Sequence, residues 1–152
     1  MNERFRIDMI QTPELFRQLA NSEPFTAKGI AAQKGKSGVY AFFEEGQPVH
    51  VGRTRNLAGR LRGHITKSHF KASFAFKRTR RILGRVATYV PEGSRAKLAQ
   101  DELFQPEFYR QIGFVKTMEV RFIEVPDPVA QYLLELYAHL EYDLSLDEFE
   151  TS

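Results

Sequence analysis

The chain has 152 residues, the span of one ordinary domain, and with 42% hydrophobic and 12% aromatic residues it holds enough apolar material to bury a core, which excludes disorder as its main state. No apolar run reaches the roughly 20 residues needed to cross a bilayer. Met1 to Ile10 carries Glu3, Arg4, Arg6 and Asp8 where a signal peptide would be apolar, and the lack of cysteine excludes disulfides, thiolate nucleophiles and Cys-ligated zinc. The expectation is a cytoplasmic protein with no membrane partner. Its net charge of +3 conceals a segregation. No Asp or Glu stands between Gly46 and Pro91, where eleven Lys and Arg fall, and no Lys or Arg follows Phe122, where Glu124, Asp127, Glu135, Glu141, Asp143, Asp147, Glu148 and Glu150 gather. A basic middle suits a polyanion; an acidic end could hold a hard cation or simply solvate a terminus.

In chain order, Thr12-Pro13-Glu14 reads as N-cap, first-turn proline and early acid, opening a short helix that stops near Pro24. Residues 26 to 36 read as a loop. Gly38 to Phe43 and Val49 to Val51 are two short β-like runs joined by a loop, Glu44 to Pro48, that contains Gly46. Asn56 is placed to cap a helix running to about Lys67, and a second helix is expected from Ser68 to Leu83, with another between Ser94 and Phe108. Lys116 to Val125 alternates as a strand, with Met118, Val120 and Phe122 on one face. After Pro126 and Pro128 a final helix covers Val129 to Tyr142, with Val129, Leu133, Leu136 and Leu140 as its packing stripe and Glu135 on the neighbouring arc with Tyr132 and His139.

The helix after the hairpin carries Leu57, Leu61 and Ile65 as an apolar stripe, and Asn56, Arg60 and His64 as a polar stripe beside it. A guanidinium and an imidazole four residues apart can grip one phosphate from two directions; a solvated amphipathic helix shows the same spacing. Further on, Phe70, Phe74 and Phe76 interleave with His69, Lys71, Lys77, Arg78, Arg80 and Arg81, a mixture that can stack bases and neutralise phosphate. The alternative is that the Phe residues fill a core from which the basic heads reach solvent, a reading favoured for Phe74 and then Phe70. The expected track for DNA comprises Arg53, Arg55, Arg62, Lys67, Lys71, Lys77, Arg78, Arg80 and Arg81.

Gly38-Val39-Tyr40, then His50-Val51-Gly52 ten residues on, then Arg53, Thr54, Asn56, Leu57, Arg60 and His64, resembles the signature of the GIY-YIG nuclease family. The match runs in order and in register from Gly38 to His64. The family's next marker is a metal-binding Glu in an apolar helix, and Tyr132-Leu133-Leu134-Glu135-Leu136-Tyr137 looks like that segment; an Asn usually follows about a dozen residues later, where Asp147 stands. The resemblance covers residues 37–66 and 116–149 of a single domain, with a longer insert, 67–115, between them. It implies an α+β fold with a small, mainly antiparallel three-stranded sheet (37–44, 48–52 and 116–125) flanked by helices.

It also implies a divalent-metal-dependent endonuclease that hydrolyses DNA phosphodiester bonds, with a Mg²⁺ or Mn²⁺ ion on Glu135, Arg60 and His64 at the scissile phosphate, and Tyr40 as the base beside the attacking water, assisted by His50. A phenol has an unperturbed pKa of roughly 10, so this role needs a neighbouring cation. Two positions depart from the family. His50 replaces a Tyr, an exchange that keeps a proton acceptor with a reference pKa of about 6.5. Asp147 replaces an Asn, putting a negative charge where a polyanion must bind. These favour an alternative: a DNA-binding module that keeps the scaffold without turnover. Specificity would have to come from the insert, from a homo-oligomer or from a partner protein. Gly38 and Gly52 suit close backbone approach or positive φ, while Gly59 sits inside a helix, at a cost of about 1 kcal/mol relative to Ala.

Overall fold

The computed structural model describes residues 1–84 and 94–147; Arg85 and the acidic Glu148 and Glu150, with Phe149, lie outside the described residues. The fold is α+β, built on a three-stranded antiparallel sheet flanked by helices, with strand order β2-β1-β3. Residues 1–58 and 118–152 form one compact unit and residues 59–117 a second.

In the first unit, helix α1 spans Glu3–Ala20, well upstream of the expected start at Thr12. Asn2 is its N-cap, its side chain accepting a hydrogen bond from Phe5 N, which gives the helix a beginning ahead of the proline. Pro13 is internal, so one carbonyl of the preceding turn loses its intrahelical donor. Beside it the Thr12 hydroxyl is buried and donates to Asp8 O at 2.8 Å. The stretch expected to be a loop contains a 3-10 helix, Ala27–Gln33.

Strands β1 (Gly38–Glu44) and β2 (Gln47–Thr54) pair antiparallel from Glu44↔Gln47 to Gly38↔Thr54. The connection is therefore two residues rather than five: Glu45 and Gly46 both take positive φ, 52° and 79°, the combination of a tight primed turn that follows strand twist. A register shift between Phe42↔His50 and Phe43↔Pro48 leaves Val49 as the extra residue of a bulge, which accommodates Pro48 on the edge strand. β3 (Glu119–Glu124) pairs with β1 from Phe43↔Glu119 to Gly38↔Glu124.

Alternation sends Val39, Ala41 and Val51 to one face of this sheet. There they form a core with Leu19 of α1, Val125, and Ala130, Leu134 and Ala138 of helix α6 (Pro128–Glu141). Asp127 caps α6 by accepting from Val129 N at 3.1 Å, and Pro128 follows in the first turn. The stripe that packs is not the leucine stripe expected. Leu136 and Leu140 are exposed, at 41% and 59%, whereas Ala130, Leu134 and Ala138 are buried. Small residues let the helix lie close to the sheet. Gln131 accompanies them because its amide donates to Ser37 Oγ at 2.8 Å and Val125 O at 2.5 Å, so its burial leaves that amide hydrogen-bonded. Phe16 of α1 meets Tyr137 edge-on and Tyr142 at a tilt, at 5.4 and 5.0 Å between ring centroids.

Helix α2 (Leu57–His64) begins in the first unit, where Leu57 N donates to Lys36 O, and ends in the second. The second unit adds α3 (Ser73–Leu83), α4 (Arg95–Leu98) and α5 (Phe104–Thr117). The helix expected over 94–108 is divided. Ser94 caps α4, and Asp101 Oδ2 accepts from Leu103 N and Phe104 N to start α5 afresh, which then runs to Thr117 and delays the strand to Glu119. Phe76, Phe104 and Phe108 form this unit's aromatic core, with centroids 4.8 to 6.2 Å apart.

Candidate functional site

The two glycines of the hairpin motif are explained by what faces them. Neither takes positive φ. A methyl group on Gly38 would press into the β3 backbone, 2.9 Å from Val125 N and 3.0 Å from Ile123 C. A methyl on Gly52 would meet the side chain of Tyr40, 2.5 Å from Cζ and 2.9 Å from Cε1. The cross-strand pair Tyr40↔Gly52 thus lays the phenol across the edge strand, over the residue that has no side chain. On the same face the next pair, Phe42↔His50, completes a cluster: Tyr40 contacts Phe42 at 5.7 Å and His50 at 6.0 Å, centroid to centroid. Tyr40 and His50 are both buried. The structure therefore brings the two proposed proton-handling groups together on one face of the hairpin.

Arg53 follows Gly52 on β2 and points to the other face, the one that α6 covers. Its Nε lies 3.7 Å from Glu135 Oε2. Its guanidinium carbon lies 3.7 Å from the centre of the Tyr132 ring, one helical turn before Glu135. The Glu135 side chain is only 12% exposed. Its main-chain oxygen accepts from His139 Nδ1 at 2.8 Å, so Nδ1 of this buried imidazole carries a hydrogen. Glu135, Tyr132 and His139 share one arc of α6, as their spacing predicts.

A cation here would draw on Glu135 as its protein oxygen. Mg²⁺ retains several waters and is held by one or two carboxylates plus substrate phosphate, so a single recessed carboxylate fits that ion. Arg53 is the group that would have to yield. Among the described residues no cluster of three or more His, Asp or Glu side chains is assembled for a metal.

The remaining candidates stand in the second unit, apart from Arg55, which is exposed just before α2 in the first. Arg60 is half-buried, and its guanidinium donates to Lys71 O at 3.2 Å and Ser73 Oγ at 2.9 Å, tying α2 to the start of α3. His64 is fully buried, so the polar stripe of α2 is not presented to solvent as a whole. Arg62, Lys67, Lys71 and Arg81 are exposed; Lys77, Arg78 and Arg80 are half-buried. Lys67 sits over the Tyr109 ring at 4.7 Å, and Arg78 donates to Gln111 Oε1 at 2.9 Å. Phe74 and Phe76 are core, as one of the two readings held, but Phe70 is 77% exposed and stacks on His69 at 4.1 Å. Core packing is excluded for Phe70.

Two features went unread in the sequence. Arg53 and Tyr132 are 79 positions apart, and only an aromatic one turn before the acidic residue hinted at the pairing. Asp8 of α1 faces Asp127, which also receives Arg4 Nη2 at 2.5 Å. The hydrogen bond to Asp127, then burial, raises the Asp8 pKa above the ordinary carboxylate range, while the bonds from Asp8 and then Arg4 hold Asp127 below it. Asp147, half-buried, donates its main-chain N–H to Ser145 Oγ at 3.3 Å. No helix among the described residues is long and apolar enough to cross a membrane. No family model matches the chain, and comparisons with curated proteins and with solved structures find no match, so the resemblance to GIY-YIG nucleases rests on the motif residues themselves.

Proposed function

We propose that this chain is a divalent-metal-dependent endonuclease of the GIY-YIG type, hydrolysing DNA phosphodiester bonds. The observation that carries the reading is the edge strand: at consecutive positions it bears Gly52, under the Tyr40 phenol, and Arg53, beside the recessed Glu135 carboxylate. Hydrolysis requires a water stripped of its proton, neutralisation of charge on the phosphoryl oxygens, and release of the leaving oxygen. Tyr40 is the base that accepts the water's proton, and His50, packed against it, shares the polarisation of that water. Glu135 holds the ion, Mg²⁺ or Mn²⁺, which when bound supplies Lewis-acid neutralisation of the phosphate. The clamp role of Arg60 and the assistance of His64 rest on motif order alone. Arg55, Arg62, Lys67, Lys71 and Arg81 offer exposed cations to the DNA backbone.

The rival reading, a DNA-binding module without turnover, is favoured by Arg53 standing 3.7 Å from the carboxylate that the ion needs. Incubation of supercoiled plasmid with Mg²⁺ or Mn²⁺ separates the two. Wild type should nick it, and Glu135→Ala and Arg60→Ala should not. DNA binding with no nicking by wild type in either metal would decide for the module.

A further inference from the structure

The Arg53 guanidinium is held by a ring rather than by its counter-ion. Its carbon lies 3.7 Å from the Tyr132 ring centre, a tight cation–π stack, while its nearest approach to Glu135 is 3.7 Å through Nε, beyond hydrogen-bond distance. Among the described residues it donates no hydrogen bond. The side chain is 38% exposed, within reach of solvent, and among the described residues its guanidinium N–H groups have no hydrogen-bond acceptor. Glu135 is recessed at 12% exposure, and a desolvated carboxylate needs a positive neighbour. The two demands conflict only while no ligand is present: an arriving phosphodiester is the planar-fork partner that Arg53 lacks, and an arriving cation is the stronger neighbour for Glu135.

We infer that Arg53, kept in place by Tyr132, is a displaceable counter-ion of Glu135 that couples cation binding to phosphate binding. Before either ligand arrives, Arg53 neutralises Glu135 and competes with a cation for it. Once its guanidinium turns to a phosphate of the nucleic acid, the carboxylate is left to the cation. Each ligand therefore raises the affinity of the other, reciprocally. Tyr132 is a positioning residue: its ring prevents the guanidinium from collapsing into a direct ion pair with Glu135. This inference rests on the reading of Glu135 as the cation ligand.

The test is Mn²⁺ titration of the full chain, followed by the electron paramagnetic resonance of free Mn²⁺, with and without a short phosphorothioate duplex. Without duplex, Arg53→Gln should bind Mn²⁺ about two- to five-fold more tightly than wild type, the scale of a partly exposed ion pair. Tyr132→Leu should shift the other way, about three-fold weaker, because the guanidinium relaxes onto the carboxylate. Adding duplex should tighten Mn²⁺ binding by wild type and have little effect on Arg53→Gln. Unchanged or weaker Mn²⁺ binding by Arg53→Gln would overturn the coupling, and a Tyr132→Leu shift in the same direction as Arg53→Gln would overturn the positioning role. If Glu135→Gln binds Mn²⁺ like wild type, Glu135 is not the ligand and both the coupling and the nuclease reading fall. A chain that shows the coupling yet never nicks plasmid keeps this inference and loses the hydrolase reading; one that nicks while Arg53→Gln leaves Mn²⁺ affinity untouched does the reverse.

Discussion

Gly52→Ala isolates a single steric contact. The backbone at position 52 is not left-handed, so alanine brings no conformational penalty of its own. The cost is the methyl group, which would stand 2.5 Å from Tyr40 Cζ and 2.9 Å from Cε1, where carbon atoms normally rest about 3.5–4.0 Å apart. The ring must retreat by about 1 Å, yet Tyr40 is 1% exposed and already meets Phe42 and His50. Overpacking of this kind costs about 1–3 kcal/mol. With Tyr40→Val the obstacle is gone, and Gly52→Ala should be neutral or stabilising by about 0.4–1 kcal/mol through the unfolded chain. The coupling between the two sites is therefore roughly 1–4 kcal/mol. Tyr40→Phe removes only the hydroxyl and should rescue little, because Cζ remains. Urea unfolding followed by far-UV circular dichroism measures all four corners of the cycle; the chain has no tryptophan to serve as a probe. Additivity within about 0.5 kcal/mol, or full rescue by Tyr40→Phe, would refute the reasoning.

Other expectations follow from the same structure. Because the Asp8 pKa is raised, the folded chain retains a proton there from the unfolded value, roughly 3.9, up to the raised one, so this group lowers stability as pH rises through that window. Asp8→Asn keeps a neutral donor to Asp127, so its melting temperature should exceed that of wild type at pH 7 and converge with it near pH 3; a gap that persists at pH 3 contradicts this. Leu134→Ala, in the sheet-facing core, should cost about 2–5 kcal/mol, and Leu140→Ala, exposed on the same helix, less than about 0.5 kcal/mol, in chemical denaturation. If the chain binds DNA through its exposed cations, Arg62→Ala and Lys71→Ala should each lower the slope of log affinity against log salt by about one, measured by fluorescence anisotropy.

The sheet was legible because its information is local. Alternation and a turn glycine place β1 and β2 within a residue or two, while the third antiparallel strand is what the resemblance implies and the order β2-β1-β3 is visible only in the structure. The phase of α6 was not legible from leucines alone. Ala130 and Ala138 pack because they are small, and Gln131 because two acceptors wait for its amide, facts that belong to the partner surface. The start of α1 was misjudged because Thr12-Pro13 imitates a beginning, while the true cap, Asn2, lies eleven residues ahead of the proline. At the candidate site, the closeness of Tyr40 and His50 could be read from strand register. The stack of Arg53 on Tyr132 could not, since it depends on how a distant helix settles on the sheet.

The central strand draws one partner from its own hairpin and the other from far down the chain: Gly38 pairs with Thr54 on one side and with Glu124 on the other. On the ribosome, at about 5–20 residues per second, roughly 4 to 16 seconds separate the emergence of β1 from that of β3. Throughout that interval a run as apolar as Val39 to Phe43 offers one unsatisfied margin to any other nascent strand. Residues 59–117 emerge during this wait, so the order of synthesis makes pairing with β3 the last step in completing the sheet.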